Sequence, residues 1–369
     1  MRTEPIGLYI HIPFCKRKCR YCDFCSFTDG DKEKYIDALI KDINSYDERK
    51  ISINTVFFGG GTPSLLSGEE FKKIFSGIRK AFNLTPDAEI TLEANPKTLT
   101  SPNLYFYMSE GVNRISLGLQ SIHENELVKL GRIHTYENFI ETYNMVRTAG
   151  INNINVDLMY GIPGQTMESF ESTVRSVAKL SPTHISLYGL ILEEGTPLYM
   201  QREQFIFPTE DEEADMYYLG ARLLSEFGYR HYEVSNYCLS GMECRHNLKY
   251  WRDKEYIGVG LSAYSYLDSK RYGKTKDMKS YLLNPLANVE EELIDKDREK
   301  YEYIMMRTRL SEGFSLSEYE ELFGENFVLS REKKIREFAD LGYVSVEGGR
   351  FSFTEKGMYV GNSLLTELI

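Results

Sequence analysis

The 369-residue chain is short of several things, and each shortage excludes a class of protein. No stretch approaches the roughly 20 consecutive apolar residues of a membrane span, so no integral membrane segment is expected. The apolar run from Ile6 to Phe14 is short and interrupted by His11 and Pro13, and no basic segment leads into a long apolar core. A secretory leader is therefore not expected, and the reading is cytoplasmic. Positive charge is in deficit: 44 Lys and Arg face 55 Asp and Glu, a net charge of −11. That weighs against nucleic-acid binding, which needs a basic face. Cysteine is sparse, at six, and four of the six fall between Cys15 and Cys25. Such clustering in a long chain is a metal or redox signature, not a disulfide framework. No internal repeat or low-complexity tract is present.

What is there begins with Cys15, Cys19 and Cys22, spaced C-x3-C-x2-C directly after an apolar run that reads as a strand. Thiolates are soft donors that favour iron–sulfur clusters, zinc or copper. The spacing is not the pair of C-x2-C units of a zinc ribbon. A cubic four-iron cluster normally takes four protein ligands. Three would leave one iron open, and an open position is where metal chemistry takes place. The plain alternative is three buried structural cysteines.

Up to about residue 190, short β-rich runs alternate with helical patterns. The candidate strands are Leu8–Ile12, Thr55–Phe58, Glu89–Glu93, Arg114–Leu117, Asn153–Leu158 and His184–Tyr188. Helical periodicity marks Lys32–Tyr46, Gly68–Ala81, Thr135–Ala149 and Met167–Leu180. Alternation of this kind predicts an α/β fold with a parallel sheet, open or barrel-like, whose ligands sit at the carboxyl ends of the strands. Polar residues fall at those ends. Gly59-Gly60-Gly61-Thr62-Pro63 follows the second strand, where a glycine run allows close backbone approach with amides free to donate. Glu93, Gln120 and Asp157 follow the third, fourth and fifth, and Arg132 lies a helix beyond Gln120. Carboxylates suit an amino group and ribose hydroxyls, and Arg132 can grip a carboxylate with a two-pronged fork.

With these residues in view, Cys15-x3-Cys19-x2-Cys22 resembles the cluster motif of the radical S-adenosylmethionine superfamily. The flanks, Tyr9-Ile10-His11-Ile12-Pro13-Phe14 and Cys22-Asp23-Phe24, resemble its oxygen-independent coproporphyrinogen III oxidase group, and most of all the haem-chaperone, HemW-like branch. The resemblance implies a partial (β/α)6 barrel over about residues 1–192. It implies a 4Fe–4S cluster on Cys15, Cys19 and Cys22, whose open iron chelates S-adenosylmethionine. In the superfamily, an electron supplied by an outside donor then breaks a carbon–sulfur bond and leaves a 5′-deoxyadenosyl radical. The family motifs place cofactor contact on Tyr9, Tyr21, Gly60, Gly61, Thr62, Glu93, Gln120, Arg132 and Asp157. They also point to backbone contacts from the strand-six end, Gly189 to Leu192.

Past residue 192 come a helical pattern, Glu210–Glu226, a short strand, Tyr229–Val234, and then Cys244-Arg245-His246-Asn247-Leu248-Lys249-Tyr250-Trp251 with the single tryptophan. By residue chemistry His246 is a surface histidine over a packed Tyr–Trp pair. By resemblance, His246-Asn247-x-x-Tyr250-Trp251 matches a motif associated with haem binding, which makes haem a cargo and His246 its contact. Cys244 is a possible second soft ligand, and Cys238 reads as structural. Gly258-Val259-Gly260-Leu261-Ser262-Ala263-Tyr264-Ser265 lacks the spacing of a dinucleotide loop and is expected to close the first domain against the cofactor. That domain is placed at residues 1–290. Residues 291–369 read as a winged-helix-like α+β domain, helices at Tyr301–Arg309, Leu316–Phe323 and Val328–Leu341 and then a hairpin of Val344–Val346 and Arg350–Phe353. From residue 300 onward there are nine Lys and Arg against twelve Asp and Glu, a net of −3. A DNA-docking wing wants the opposite sign, so a lid or partner-contact role is expected.

Two functions fit. One is a haem chaperone that binds the cluster and S-adenosylmethionine and passes haem to acceptor proteins. The other is a coproporphyrinogen III dehydrogenase that oxidatively decarboxylates two propionates. The enzyme's motif continues C-x3-C-x2-C-x-C, but Phe24 stands at its fourth cysteine and Cys25 comes one residue late. Only fourteen residues precede Cys15, where the enzyme carries a substantial segment. With the His246 motif, these features favour the chaperone.

Overall fold

The structure is a computed structural model that describes residues 4–369. Its frame is six parallel strands in chain order: β1 (Ile6–Ile12), β2 (Ile51–Gly60), β3 (Phe82–Ala94), β4 (Arg114–Gln120), β5 (Asn153–Tyr160) and β6 (His184–Gly189). β1 and β4 are buried along almost their whole length. That is the signature of strands covered on both faces, and it accounts for their near-continuous apolar runs. The covering helices include α1 (Lys32–Asn44), α2 (Gly68–Ala81), α3 (Ser101–Ser109), α4 (Glu124–Leu130), α5 (Tyr136–Thr148) and α6 (Met167–Lys179).

α2 shows how locally this frame is encoded. Ser67 accepts from the Glu70 amide while Glu70 accepts from the Ser67 amide, a reciprocal cap that starts the helix. Phe71, Ile74, Phe75 and Ile78 then follow at helical spacing, all buried. Each such side chain contributes about 1.5–3 kcal/mol on burial. Phe82 ends the helix by turning to extended backbone and opening β3.

The sheet is wider than the six strands expected. β7 (Arg230–Glu233) and β8 (Asn236–Cys238) add antiparallel pairings beyond β6. On the other side β9 (Tyr256–Val259) lies parallel to β1, followed by β10 (Tyr264–Leu267), β11 (Lys270–Gly273) and β12 (Val289–Leu293), each antiparallel to the one before. The glycine-rich segment 258–265 is thus part of the sheet. It packs against β1 and α1: the Gly260 amide donates to Asp42 Oδ2 at 3.1 Å, and a side chain on Gly258 would collide with the Tyr264 carbonyl. This corrects the expectation that it closes over the cofactor.

β12 still belongs to the large sheet, and a separate core begins at Tyr303, built from Phe314, Tyr319, Phe327, Phe338, Phe351 and their neighbours. Around that core run the helices Lys296–Arg307, Leu316–Phe323 and Glu332–Asp340 and a three-stranded antiparallel sheet of Phe314–Ser315, Arg350–Phe353 and Val344–Glu347. The single helix expected over Val328–Leu341 is two, Phe327–Ser330 and Glu332–Asp340. Arg331 between them leaves helical geometry, and its side chain ties Glu325 to the carbonyl of Leu368. Among the described residues no helix is long and apolar enough to cross a membrane.

Candidate functional site

The carboxyl ends of the parallel strands open on a cleft of about 560 Å³, within the roughly 300–1,000 Å³ of small-molecule sites. Cys15, Cys19 and Cys22 line it together. They sit on a loop that β1 feeds through Pro13 and Phe14. The loop is closed at its base by Cys15 N–H to the Phe27 carbonyl, 2.8 Å, and Phe27 N–H to the Pro13 carbonyl, 2.7 Å. Arg20 anchors its middle, donating its amide to Leu130 and accepting from the Leu198 amide. Two side chains donate to the sulfurs: the Thr62 hydroxyl to Cys15 Sγ at 3.4 Å and Arg132 Nη1 to Cys19 Sγ at 3.5 Å. Burial pushes the Cys22 thiol up to about 11, so it needs a cationic ligand to ionise. Among the described residues no three His, Cys, Asp or Glu side chains converge as a single metal ion requires. Three thiols round one cleft suit a polynuclear cluster, whose metals reach separate thiolates.

The triple glycine does a different job from the one expected. Gly61 N–H bonds to the Ile12 carbonyl and Thr62 N–H to the Phe14 carbonyl, both at 2.8 Å, while Gly60 N–H bonds to Glu93 Oε2 at 3.2 Å. These amides tie the β2 end to the end of β1, the start of the cysteine loop and the Glu93 carboxylate of β3. Gly60 has φ +104°, and a Cβ there would strike the His11 ring; one on Gly61 would lie 2.7 Å from the Phe14 carbonyl. Glycine is required by packing.

Two half-buried carboxyls line the cleft beyond. Burial, and then the charge of Asp157, push Glu93 up to about 8. Asp157 is also raised by burial, against hydrogen bonds from neighbours that include Asn155 Nδ2, 2.7 Å, and Ser116 Oγ, 3.3 Å. A buried carboxyl held in its neutral form is a natural partner for an incoming cation. Arg132 spends its fork on Asn95 Oδ1, the Gly118 carbonyl and Cys19, and its Nε has no partner among the described residues. Gripping a ligand carboxylate would require it to exchange one of these bonds. Gln120 ends β4 at φ +75°, a left-handed conformation costly for a residue with a Cβ, and accepts from the Tyr188 hydroxyl at 3.0 Å. Tyr21 packs with Leu130 and Met159 and lines the same cleft.

The strands therefore bring Cys15, Cys19, Cys22, Tyr21, Gly60, Gly61, Thr62, Glu93, Gln120, Arg132 and Asp157 round one opening, with Gly189, Leu190 and Ile191 from the β6 end. Two residues with an expected contact are elsewhere. Tyr9 stacks on Phe57 and bonds His11 Nδ1, 3.1 Å; it lines a neighbouring cavity instead. His246 is only 1% exposed. Its Nδ1 meets Thr55 Oγ1 at 2.9 Å, its Nε2 meets the Tyr250 hydroxyl at 2.8 Å, and its ring stacks on Phe57. Burial lowers it to about 3, so it is neutral. As a haem ligand it would first have to give up one of these partners. Nor is it the surface residue that residue chemistry suggested: the apolar backing of β1 and β2 encloses it. Cys244, also buried, donates to Glu89 Oε1 at 3.7 Å.

The sequence reading passed over Asn95, Ser116 and Tyr188 as site residues. Their signal was position: Asn95 stands two residues after Glu93, and Tyr188 lies at the end of β6.

A cleft of this kind, three thiols in the first loop and acids on the following strand ends, defines a class. Residues 9–177 match the model of the radical SAM superfamily, and residues 294–360 match the HemN C-terminal domain. The chain is 34% identical over its full length to the heme chaperone HemW of Lactococcus lactis, covering 98% of that protein. It is 36% identical to HemW of Haemophilus influenzae and 35% to HemW of Escherichia coli, in each case over 99% of this chain and 98% of the relative. The chain belongs to the HemW family of radical SAM proteins. Among solved structures, coproporphyrinogen III oxidase (HemN) from Escherichia coli shares its fold, with a TM-score of 0.86 over 99% of this chain and 90% of that one, at 22% identity. Membership implies a 4Fe–4S cluster and S-adenosylmethionine. The residues present fit both: three thiols near two donors, beside two carboxyls on the cleft wall whose proton affinity burial raises.

Proposed function

We propose that this chain is a haem chaperone: it holds a 4Fe–4S cluster on Cys15, Cys19 and Cys22, binds S-adenosylmethionine in the cleft and passes haem to acceptor proteins. The observation that carries the reading is end-to-end similarity to proteins named heme chaperone HemW, together with a cleft whose donors suit the implied cofactors. When bound, the reduced cluster supplies one-electron chemistry to a sulfonium ligand.

The chain's own residues do the rest. Cys15, Cys19 and Cys22 hold the cluster as thiolates. Thr62 and Arg132 steady two of them by donation. Glu93 gives up its proton to meet an ammonium group, and Asp157 accepts from ribose hydroxyls. Tyr188 and Gln120, bonded to each other, form part of the wall towards the adenine side. The electron comes from a separate one-electron donor protein, and the setting is the cytoplasm.

Two assays on one anaerobic preparation test the proposal. Haem titration is expected to saturate near one equivalent. Incubation with coproporphyrinogen III, reductant and S-adenosylmethionine is expected to leave the substrate unchanged. Conversion to protoporphyrinogen IX would replace the chaperone reading with the dehydrogenase one.

A further inference from the structure

Beside the cofactor cleft lies a second cavity of about 540 Å³. Its walls are aromatic: Tyr9, Phe24, Phe27, Tyr250, Tyr256 and Tyr264. Cys25 lines this cavity and not the first, whereas Cys15, Cys19 and Cys22 line the first and not this one. The fourth thiol of the cluster loop thus faces a different cavity from the other three, across a shared wall of Lys18, Asp23, Phe24 and Ser26. His11 Nε2 bonds the Cys25 carbonyl at 2.8 Å and fixes the backbone there. The Cys25 sulfur itself makes only a weak contact, 3.6 Å to the carbonyl of Lys276. Lys18 and Lys276 line the same cavity, are exposed, and form no ion pair with a described residue; Asp23 is the one acid in the lining. Tyr250 reaches this cavity from the haem-associated motif, with His246 bonded to its hydroxyl from behind.

We infer that this second cavity is the haem site, with Cys25 as axial ligand and Lys18 and Lys276 paired with the two propionates. The inference rests on the chaperone reading and locates its cargo. A flat macrocycle with apolar faces and carboxylates along one edge matches aromatic walls with cations among them. Thiolate is an established haem ligand. On binding, the Cys25 thiol releases its proton to solvent, and its sulfur exchanges the long contact with Lys276 for a bond to iron. His246 is then a positioning residue, setting the Tyr250 ring against the macrocycle.

The test uses the full-length chain with its cluster assembled, so that the other three thiols are engaged. Haemin and iron-free protoporphyrin IX are titrated in parallel into the wild type, Cys25→Ser, Lys276→Glu and His246→Ala. The expected result is one haemin per chain with the absorption and paramagnetic signature of thiolate ligation. Cys25→Ser loses that signature and binds haemin at least about tenfold more weakly, while its affinity for protoporphyrin IX is unchanged. Lys276→Glu weakens both ligands by up to about fivefold, less at high salt. His246→Ala keeps the thiolate signature. Wild-type haemin with a histidine signature, lost in His246→Ala and kept in Cys25→Ser, overturns the site and leaves the chaperone reading standing. If neither haemin nor protoporphyrin IX binds the wild type, the chaperone reading falls as well. Thermal melting of each variant separates loss of the site from loss of the fold.

Discussion

Glu93 shows what a single residue contributes before any ligand arrives. Its carboxyl is half-buried at the cleft wall and lies near Asp157, and desolvation and that neighbouring charge push it up to about 8 although the Gly60 amide donates to it. An unfolded chain releases that proton near the ordinary value of 4.5. Between these values the folded state holds a proton that the unfolded state has lost, so stability falls as pH rises through the interval and levels off above it. Glu93→Gln removes the dependence. In cluster-free protein its melting temperature should exceed that of the wild type above pH 8, and the gap should close towards about pH 5. An equal gap at every pH would mean that Glu93 is already ionised in the fold. Gly60 makes a harder demand. Its φ of +104° and the His11 ring against its missing side chain predict that Gly60→Ala costs about 1–3 kcal/mol in urea unfolding. An unchanged midpoint would contradict the packing role assigned to the triple glycine.

At the scale of elements, legibility follows where the information sits. The bounds of α2 could be read from the chain because its cap and its apolar stripe are local. Ser67→Ala should cost about 1 kcal/mol, read by chemical denaturation, since it breaks the reciprocal cap. A loss within error would mean that tertiary packing alone sets the start of α2. β2 and β3, by contrast, begin several residues before the apolar runs that announced them, because residues 51–53 pair with residues 82–84, buried Ile51, Ile53 and Phe82 alternating with exposed Ser52 and Asn83, a match that lies between two strands and not within either. α3 was missed for a related reason: its apolar residues form no clean stripe, and its signals are the Thr100 cap and Pro102. β7 to β12 were mostly invisible as sheet, since short strands take their meaning from a neighbour far away in sequence.

In the molecule as a whole, the order of strands made the cleft legible. Each cluster or cofactor residue expected between Cys15 and Asp157 lines one opening, because parallel strands in chain order bring successive loops together. Tyr9 and His246 lie outside that rule: Tyr9 is inside β1 and not at its end, and His246 is on the helix Arg245–Trp251, packed against Phe57 of β2. The role of the glycine amides is not legible in the sequence because their partners, the Glu93 carboxylate on β3 and the Ile12 carbonyl at the end of β1, come from other strands.

In the proposed function Cys15, Cys19 and Cys22 together hold a cluster with one iron left for S-adenosylmethionine. The most direct measurement is electron paramagnetic resonance of the dithionite-reduced, anaerobically reconstituted protein, with and without S-adenosylmethionine, on a sample assayed for iron and sulfide. About four irons and four sulfides per chain are expected. The signal should change shape on adding the ligand, and both iron and signal should vanish when the three cysteines are changed to alanine. A signal indifferent to S-adenosylmethionine, or iron retained without those cysteines, would contradict it.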